Sequence, residues 1–327
     1  MARGLLVNTK RTSALGLNMF TEEELWEVHL ATLDVMKNVG LKVESKEARE
    51  IYDGLGCDVN EETHIVKFPA WVVEDAMRVA PPNYRATGRD PEKDWYCESG
   101  RTGFVNFGEA LNVIDPYTRE RRDPTMDDLW NSVRIIDQLE NIVVFERNIV
   151  PKDVDPFVGQ LYVLEAFLNN TTKPGYIGMH DPENIKAAYK MGCMVAGSEE
   201  AFKERPFFGT STDPISPLVA PEGATDALIL ATKLGIPVKI NPLGMAGGTT
   251  CAHLAGTMVT HNAEVLAMFV LGQALKRGVP MVYGSSTAMM DLRTTCSAMG
   301  SPEAALFSAF VAKMAQFYKV PSWVSGG

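Results

Sequence analysis

The chain has 327 residues, a net charge of −10 from 31 Lys+Arg against 41 Asp+Glu, and 46% apolar residues. That length and apolar share support one large domain or two smaller ones, with a core that needs no disulfide or metal. The acidic balance excludes a general nucleic-acid binder, which requires a basic footprint, and suits a neutral or cationic ligand. Cys57, Cys97, Cys193, Cys251 and Cys296 are scattered without a CxxC pair. They read as thiols of a reducing cytoplasm. The start of the chain lacks the apolar core of a signal peptide, and polar breaks in every long apolar stretch argue against a membrane span.

In chain order, residues 1–20 have no period and read as an extended arm. Thr21 to Glu24 spell a capping box. Leu25, Val28, His29, Thr32, Leu33 and Met36 then share one helical face, and Gly40 closes the helix. A second helix is expected over residues 46–55, a strand over 63–68, and a third helix from Pro69 to Val79, stopped by Pro81-Pro82. Residues 1–101 thus form an arm and a helical subdomain, a cap or oligomerisation element.

From residue 102 to 327 the rhythm changes. A first strand near Phe104–Glu109 precedes a turn at Asp115-Pro116, and Thr125 caps a helix over 126–138. Short apolar strands at 142–149, 175–179, 207–212, 237–242, 280–286 and 321–326 then alternate with helices at 154–169, 182–196, 221–234, 252–276 and 302–318. This is the pattern of a parallel α/β fold buried on both faces. No GxGxxG or GxxxxGK[ST] marks a nucleotide-binding sheet. Each strand ends in polar or glycine-rich residues, which favours a TIM (β/α)8 barrel. Seven strands are expected where a barrel needs eight, so the barrel is incomplete at the C-terminus.

Glu109 and Glu146 fall near strand ends, and each either faces the barrel mouth or is a loop-surface carboxylate or a salt-bridge partner, for instance of Arg147. His180 follows a strand, with Asp181 as a helix cap; it contacts substrate or is a plain loop histidine. Asp213 reads as a turn or cap. Tyr283 and Trp323 read as packing residues. Ser285 and Ser286 end a strand as hydrogen-bond donors to a polar ligand. Gly247 and Gly248, after a strand and before a helix, either hold a phosphate at the helix N-terminus or let the chain pass close to a bulky partner or cofactor. His261, Asn262 and Glu264 lie on a helix, where a structural network is the favoured reading. Cys251 and His253 fit no closed zinc pattern, and no metal is expected.

The stretches AGTMVTHNAEVLAMFVLGQ (255–273), YGSSTAMMDLR (283–293), GSPEAALFSAFVAKMAQFY (300–318) and VPSWVSGG (320–327), with FTEEELWEVHLATLDVM (20–36) and GCDVNEETHIVKFP (56–69), resemble the trimethylamine methyltransferase family. The resemblance covers nearly the whole chain and implies a TIM barrel and methyl transfer from trimethylamine. The acceptor it implies is the Co(I) corrinoid of a cognate corrinoid protein, a cofactor carried by that partner and not bound directly. It also implies a cytoplasmic homo-oligomer. In trimethylamine-specific members pyrrolysine follows a small-residue motif like Val324-Ser325-Gly326-Gly327, so pyrrolysine is expected just after Gly327, encoded by an in-frame amber codon at which the chain has been truncated. Relatives without pyrrolysine demethylate quaternary amines such as glycine betaine. That reading, and an inactive truncated remnant, stay open as alternatives. In either enzymatic case the leaving nitrogen must be cationic, and carboxylates with aromatic faces are the side chains that hold such a centre. The corrinoid face is the expected neighbour of Gly247 and Gly248.

Overall fold

A computed structural model describes residues 19–325. The expected arm falls almost wholly outside the described residues, as do Gly326 and Gly327. Helix α1 (Glu22–Asn38) begins at the expected capping box. Thr21 Oγ1 accepts from the Glu24 N–H at 3.2 Å, and the Glu24 carboxylate accepts from the Thr21 N–H at 2.7 Å. Gly40, at φ +80°, turns the chain away, and a Cβ there would sit 2.4 Å from the Val66 carbonyl oxygen. Helices α2 (Lys46–Gly54) and α3 (Ala70–Val79) follow as expected.

The front of the chain carries more strands than the one expected over 63–68, which is present as Ile65–Lys67. Leu41–Val43, Asp58–Asn60 and Ile65–Lys67 pair antiparallel, and Val219–Ala220 adds in parallel beside Leu41–Val43. A second ribbon pairs Asn83–Ala86 with Trp95–Glu98. The other front strands are too short to show a period in sequence, and the Val219–Ala220 partner lies far along the chain.

The main sheet has seven strands: β1 (Phe104–Val105), β2 (Ile142–Glu146), β3 (Gly175–Tyr176), β4 (Phe208–Thr212), β5 (Val238–Ile240), β6 (Met281–Ser285) and β7 (Ser322–Val324). All neighbours are parallel and their order is strictly sequential. Helices α4 (Met126–Gln138), α5 (Gly159–Asn170), α6 (Pro182–Ala196), α7 (Glu199–Glu204), α8 (Glu222–Leu234), α9 (Leu254–Leu275) and α10 (Pro302–Tyr318) connect them. Thr125 caps α4 in a second capping box with Asp128.

The sheet is curled. Three inter-strand steps separate β2 from β5, roughly 14 Å on a flat sheet. Yet Lys239 Nζ of β5 lies 2.8 Å from Glu146 Oε2 of β2. Four steps separate β3 from β7, yet the rings of Tyr176 and Trp323 sit 5.3 Å apart, edge to face. Side chains alternate accordingly. Val144, Tyr176, Val282 and Trp323 cluster on the concave face with Tyr84 and Ala86 of the ribbon, while Phe145, Val238, Ile240 and Tyr283 face the helices. The curl stops short of closure: β1 and β7 are both edges, and a cleft of about 250 Å³ between them is lined by Trp95, Gly103, Val105, Val143, Ser322 and Trp323.

Helix α9 is the core helix. By length and composition it matches a membrane span, yet it is buried through its middle by α1, α3 and α8. Its polar residues bond to α1, α10, β6 and the 216–218 loop. Asn262 Nδ2 donates to Thr32 Oγ1 and to Tyr318 OH, both at 2.9 Å, and Asn262 Oδ1 accepts from Tyr283 OH at 2.7 Å. Glu264 accepts from Ser216 Oγ and the Leu218 N–H. His261 Nε2 bonds the Gly284 carbonyl at 3.1 Å. The structural reading of His261, Asn262 and Glu264 is the one the structure displays.

Candidate active site

Every charged group of interest stands at the C-terminal end of the curled sheet or on its concave face. Parity explains Lys239: its neighbours Val238 and Ile240 point to the helices, so Lys239 must point inward. Gly284 beside it makes room, because a Cβ there would lie 3.2 Å from Lys239 Cγ and 2.4 Å from the Ile240 carbonyl oxygen. The Lys239 side chain is only 4% exposed. Its ammonium pairs with Glu146 and lies 4.3 Å from the Trp323 ring centroid and 5.9 Å from that of Tyr176. Burial is the largest influence on Glu146 and pushes its carboxyl up, with Lys239 opposing.

One layer higher, Arg147 is buried. Its Nη1 donates to the Gly178 carbonyl at 3.1 Å, and its Nη2 pairs with Glu109 Oε1. Glu109 adopts φ +72°, a left-handed conformation that a glutamate occupies only when its surroundings hold it there. Its N–H donates to the Arg147 carbonyl, so backbone and side chain both tie it to the end of β2. His180 Nε2, beyond β3, lies 3.6 Å from Asp213 Oδ2, beyond β4. Burial drives the Asp213 carboxyl upward, with His180 the chief opposing influence, and Asp213 Oδ1 has no partner. Asp181 meanwhile caps α6, accepting from the N–H groups of Glu183 and Asn184.

Glu109, Glu146 and His180 therefore come together, joined by Arg147, Asp213 and Lys239. Of the two carboxylates, Glu109 takes the Arg147 partner that the sequence offered, and Glu146 is held by Lys239, which sequence reasoning did not single out. The only sequence signal for Lys239 was a lone charge inside an apolar strand. Three carboxylates face two permanent cations and one histidine, a set of carboxylate oxygens that can accept hydrogen bonds from an ammonium ligand. Gly178 and Ser211 keep the inward surface small at this level.

The remaining candidates sit apart from this group. Ser285 shares the outward parity of Tyr283 and accepts from the Thr287 N–H at 3.1 Å, which stabilises the turn after β6. Ser286 Oγ accepts from Asn241 Nδ2 at 3.1 Å, linking the ends of β5 and β6. Gly247, at φ +82°, forms a tight turn in which its N–H donates to the Thr250 and Cys251 carbonyls. A Cβ at Gly248 would lie 2.8 Å from Met290 Sδ, the movable end of a flexible side chain, so the turn favours a small residue there without requiring glycine. Among the described residues no group of three or more His, Cys, Asp and Glu is arranged to hold a metal.

A sequential parallel sheet, curled so that its charged side chains converge at the strand ends, defines an α/β half-barrel with a site at the catalytic end of such folds. The profile of the trimethylamine methyltransferase (MTTB) family matches residues 5–327, and the chain belongs to that family. It is 42% identical over 317 residues to a trimethylamine methyltransferase MttB of Desulfitobacterium hafniense (strain DSM 10664 / DCB-2), covering 97% of this chain and 64% of that protein. It is 37% identical to a trimethylamine methyltransferase MttB of Methanosarcina thermophila, covering 95% and 65%. A glycine betaine methyltransferase of Desulfitobacterium hafniense (strain Y51) is more distant, at 29% over 311 residues, covering 95% and 64%. The chain thus spans a little under two thirds of the length of these curated relatives. The crystal structure of the Methanosarcina barkeri monomethylamine methyltransferase (MtmB) shares the fold, with a TM-score of 0.55 at 11% identity over 92% of this chain and 67% of that one.

Proposed function

We propose that this chain belongs to an enzyme that moves a methyl group from trimethylamine to the Co(I) corrinoid of a cognate partner protein. The observation that carries this reading is the convergence of Glu109, Glu146, His180 and Asp213 at the strand ends, in a chain of this family. Methyl transfer to a nucleophile requires a nitrogen that leaves as a neutral amine, so the donor must be bound as a cation. Glu109 and Asp213 line the rim and attract that charge. Arg147 fixes Glu109 so that its carboxylate meets the ligand in one orientation, which lowers the entropy lost on binding. His180, against Asp213, is positioned to exchange a proton with the amine. Asp213 Oδ1, buried and unpartnered, is an acceptor that a bound ammonium would satisfy.

Within this reading the half-barrel is the larger part of a TIM barrel, whose β1 and β7 edges face one another across an open cleft. Residues 1–101 are its arm and N-terminal subdomain and 102–327 its barrel domain. Pyrrolysine is proposed to follow Gly327 on the strength of the resemblance alone; its imine carbon would bond the amine nitrogen and hold it cationic. Ser285 and Ser286 serve the substrate loop, and Gly247 and Gly248 lie on the side from which the corrinoid protein approaches. The corrinoid stays with that partner, and the enzyme is a cytoplasmic homo-oligomer with no nucleic-acid or membrane partner. A quaternary amine such as glycine betaine is the second reading, favoured by the more distant relative.

The test is demethylation by the protein as its gene encodes it, mixed with a reduced corrinoid protein and either trimethylamine or glycine betaine. Methylation of the corrinoid by trimethylamine supports the first reading. Turnover of betaine alone replaces it with the second, and turnover of neither removes both.

A further inference from the structure

The concave face holds an ammonium of its own. Lys239 Nζ is enclosed by the Glu146 carboxylate at 2.8 Å, the Trp323 ring at 4.3 Å and the Tyr176 ring at 5.9 Å. A carboxylate with two aromatic faces is the chemistry that recognises alkylammonium ions. In this fold that cage is filled from within. We propose that Lys239 is a positioning residue that occupies a floor cation site, so that an incoming ammonium ligand is held one layer higher, by Glu109, His180 and Asp213. The inference rests on the functional reading above for the identity of the ligand, but the cage itself does not depend on it. Four features agree. Lys239 is buried and charged, which the fold tolerates only with compensation. Gly284 is shaped around its stem. Trp323, on the last described strand, covers it. An unpartnered carboxylate oxygen at this end of the sheet, Asp213 Oδ1, lies at the rim, above the filled floor.

Removal of the lysine side chain should open the cage to a free cation. The probe is tetramethylammonium chloride, which is charged at every pH, titrated by calorimetry into the protein as its gene encodes it and into K239A. K239A is expected to bind it at least ~10-fold more tightly, the scale of one desolvated cation–aromatic contact. That gain is expected to vanish in K239A/W323L and in K239A/E146Q. In turnover, K239A is expected to lose kcat more than it changes KM, because the amine now seats too deep. A folded K239A with unchanged affinity overturns the proposal. So does a gain that survives W323L. If K239A does not fold, K239Q decides: it retains a hydrogen bond to Glu146, leaves part of the cage open and should show a smaller gain. Failure of both variants to fold makes Lys239 purely structural, which also overturns the proposal. Absence of trimethylamine turnover in the unsubstituted protein removes the functional reading and leaves the cation result intact.

Discussion

At the scale of single residues, the pair Glu146–Lys239 concentrates the largest electrostatic stakes. Both side chains lie on the concave face, where water is scarce, and each makes the other's charge tolerable. Removing one partner strands the other, and each of E146Q and K239M is expected to lower unfolding stability by about 3 kcal/mol. The double replacement E146L/K239M leaves no charge to strand and should lose far less than the sum. A denaturant double-mutant cycle measures this, and strict additivity would show that the two groups do not compensate one another. Glu109 makes a related point. Its left-handed backbone is an unfavourable conformation held in place by its contacts with Arg147, as expected where a side chain must be aimed rather than merely accommodated.

At the scale of elements, α9 joins the front of the chain to the sheet. Asn262 reaches α1 through Thr32, α10 through Tyr318 and β6 through Tyr283. N262A leaves the buried Tyr283 hydroxyl without a partner and takes one bond each from Thr32 and Tyr318, which keep the Val28 carbonyl and His29 Nδ1, and a loss of about 2 kcal/mol is expected by chemical denaturation. Loss within experimental error would show that the joint is held by packing alone. The same helix carries two opposed titrations. Burial lowers His261 from 6.5 to about 4, and its Nδ1 is buried without a partner, so a second ring proton would find no acceptor. Stability from this group is therefore lost as pH falls from 6.5 toward 4. Burial raises Glu264 from 4.5 to about 7, so its contribution is present below 4.5 and lost as pH rises toward 7. Between pH 4.5 and 6.5 the two slopes oppose one another. E264Q should expose the histidine slope, with stability rising with pH, and H261N the glutamate slope, with stability falling. Each is worth up to about 3 kcal/mol. Urea midpoints at three pH values decide it, and parallel profiles for all three proteins would refute the assignment.

For the whole molecule, the open seam is the dominant feature. β1 and β7 each present an unpaired edge, and Phe104 on β1 is 61% exposed. Edges of this kind pair with one another between molecules unless covered. The 327-residue chain, produced by itself, is expected to self-associate in light scattering, and F104K is expected to shift it toward the monomer. A monodisperse monomer with a cooperative melt would show that the seam is already protected.

Much of this architecture was legible in the amino-acid order, because the relevant signals are local. The Thr21 and Thr125 caps, the glycine stop at Gly40 and the alternation of short apolar strands with helices each depend on neighbours a few residues away. Strand count, sequential order and the polar strand ends followed from that alternation, and so did the candidacy of Glu109, Glu146 and His180. What stayed hidden depends on residues far apart in the chain. Val219–Ala220 joins the front sheet only once the chain has folded back. Lys239 meets Glu146 only because the sheet curls, and curl accumulates over many strands without a mark in any one of them. Which carboxylate takes which cation was likewise decided in three dimensions. Adjacent in sequence, Glu146 and Arg147 point to different surroundings, so the nearest partner along the chain was not the nearest in space.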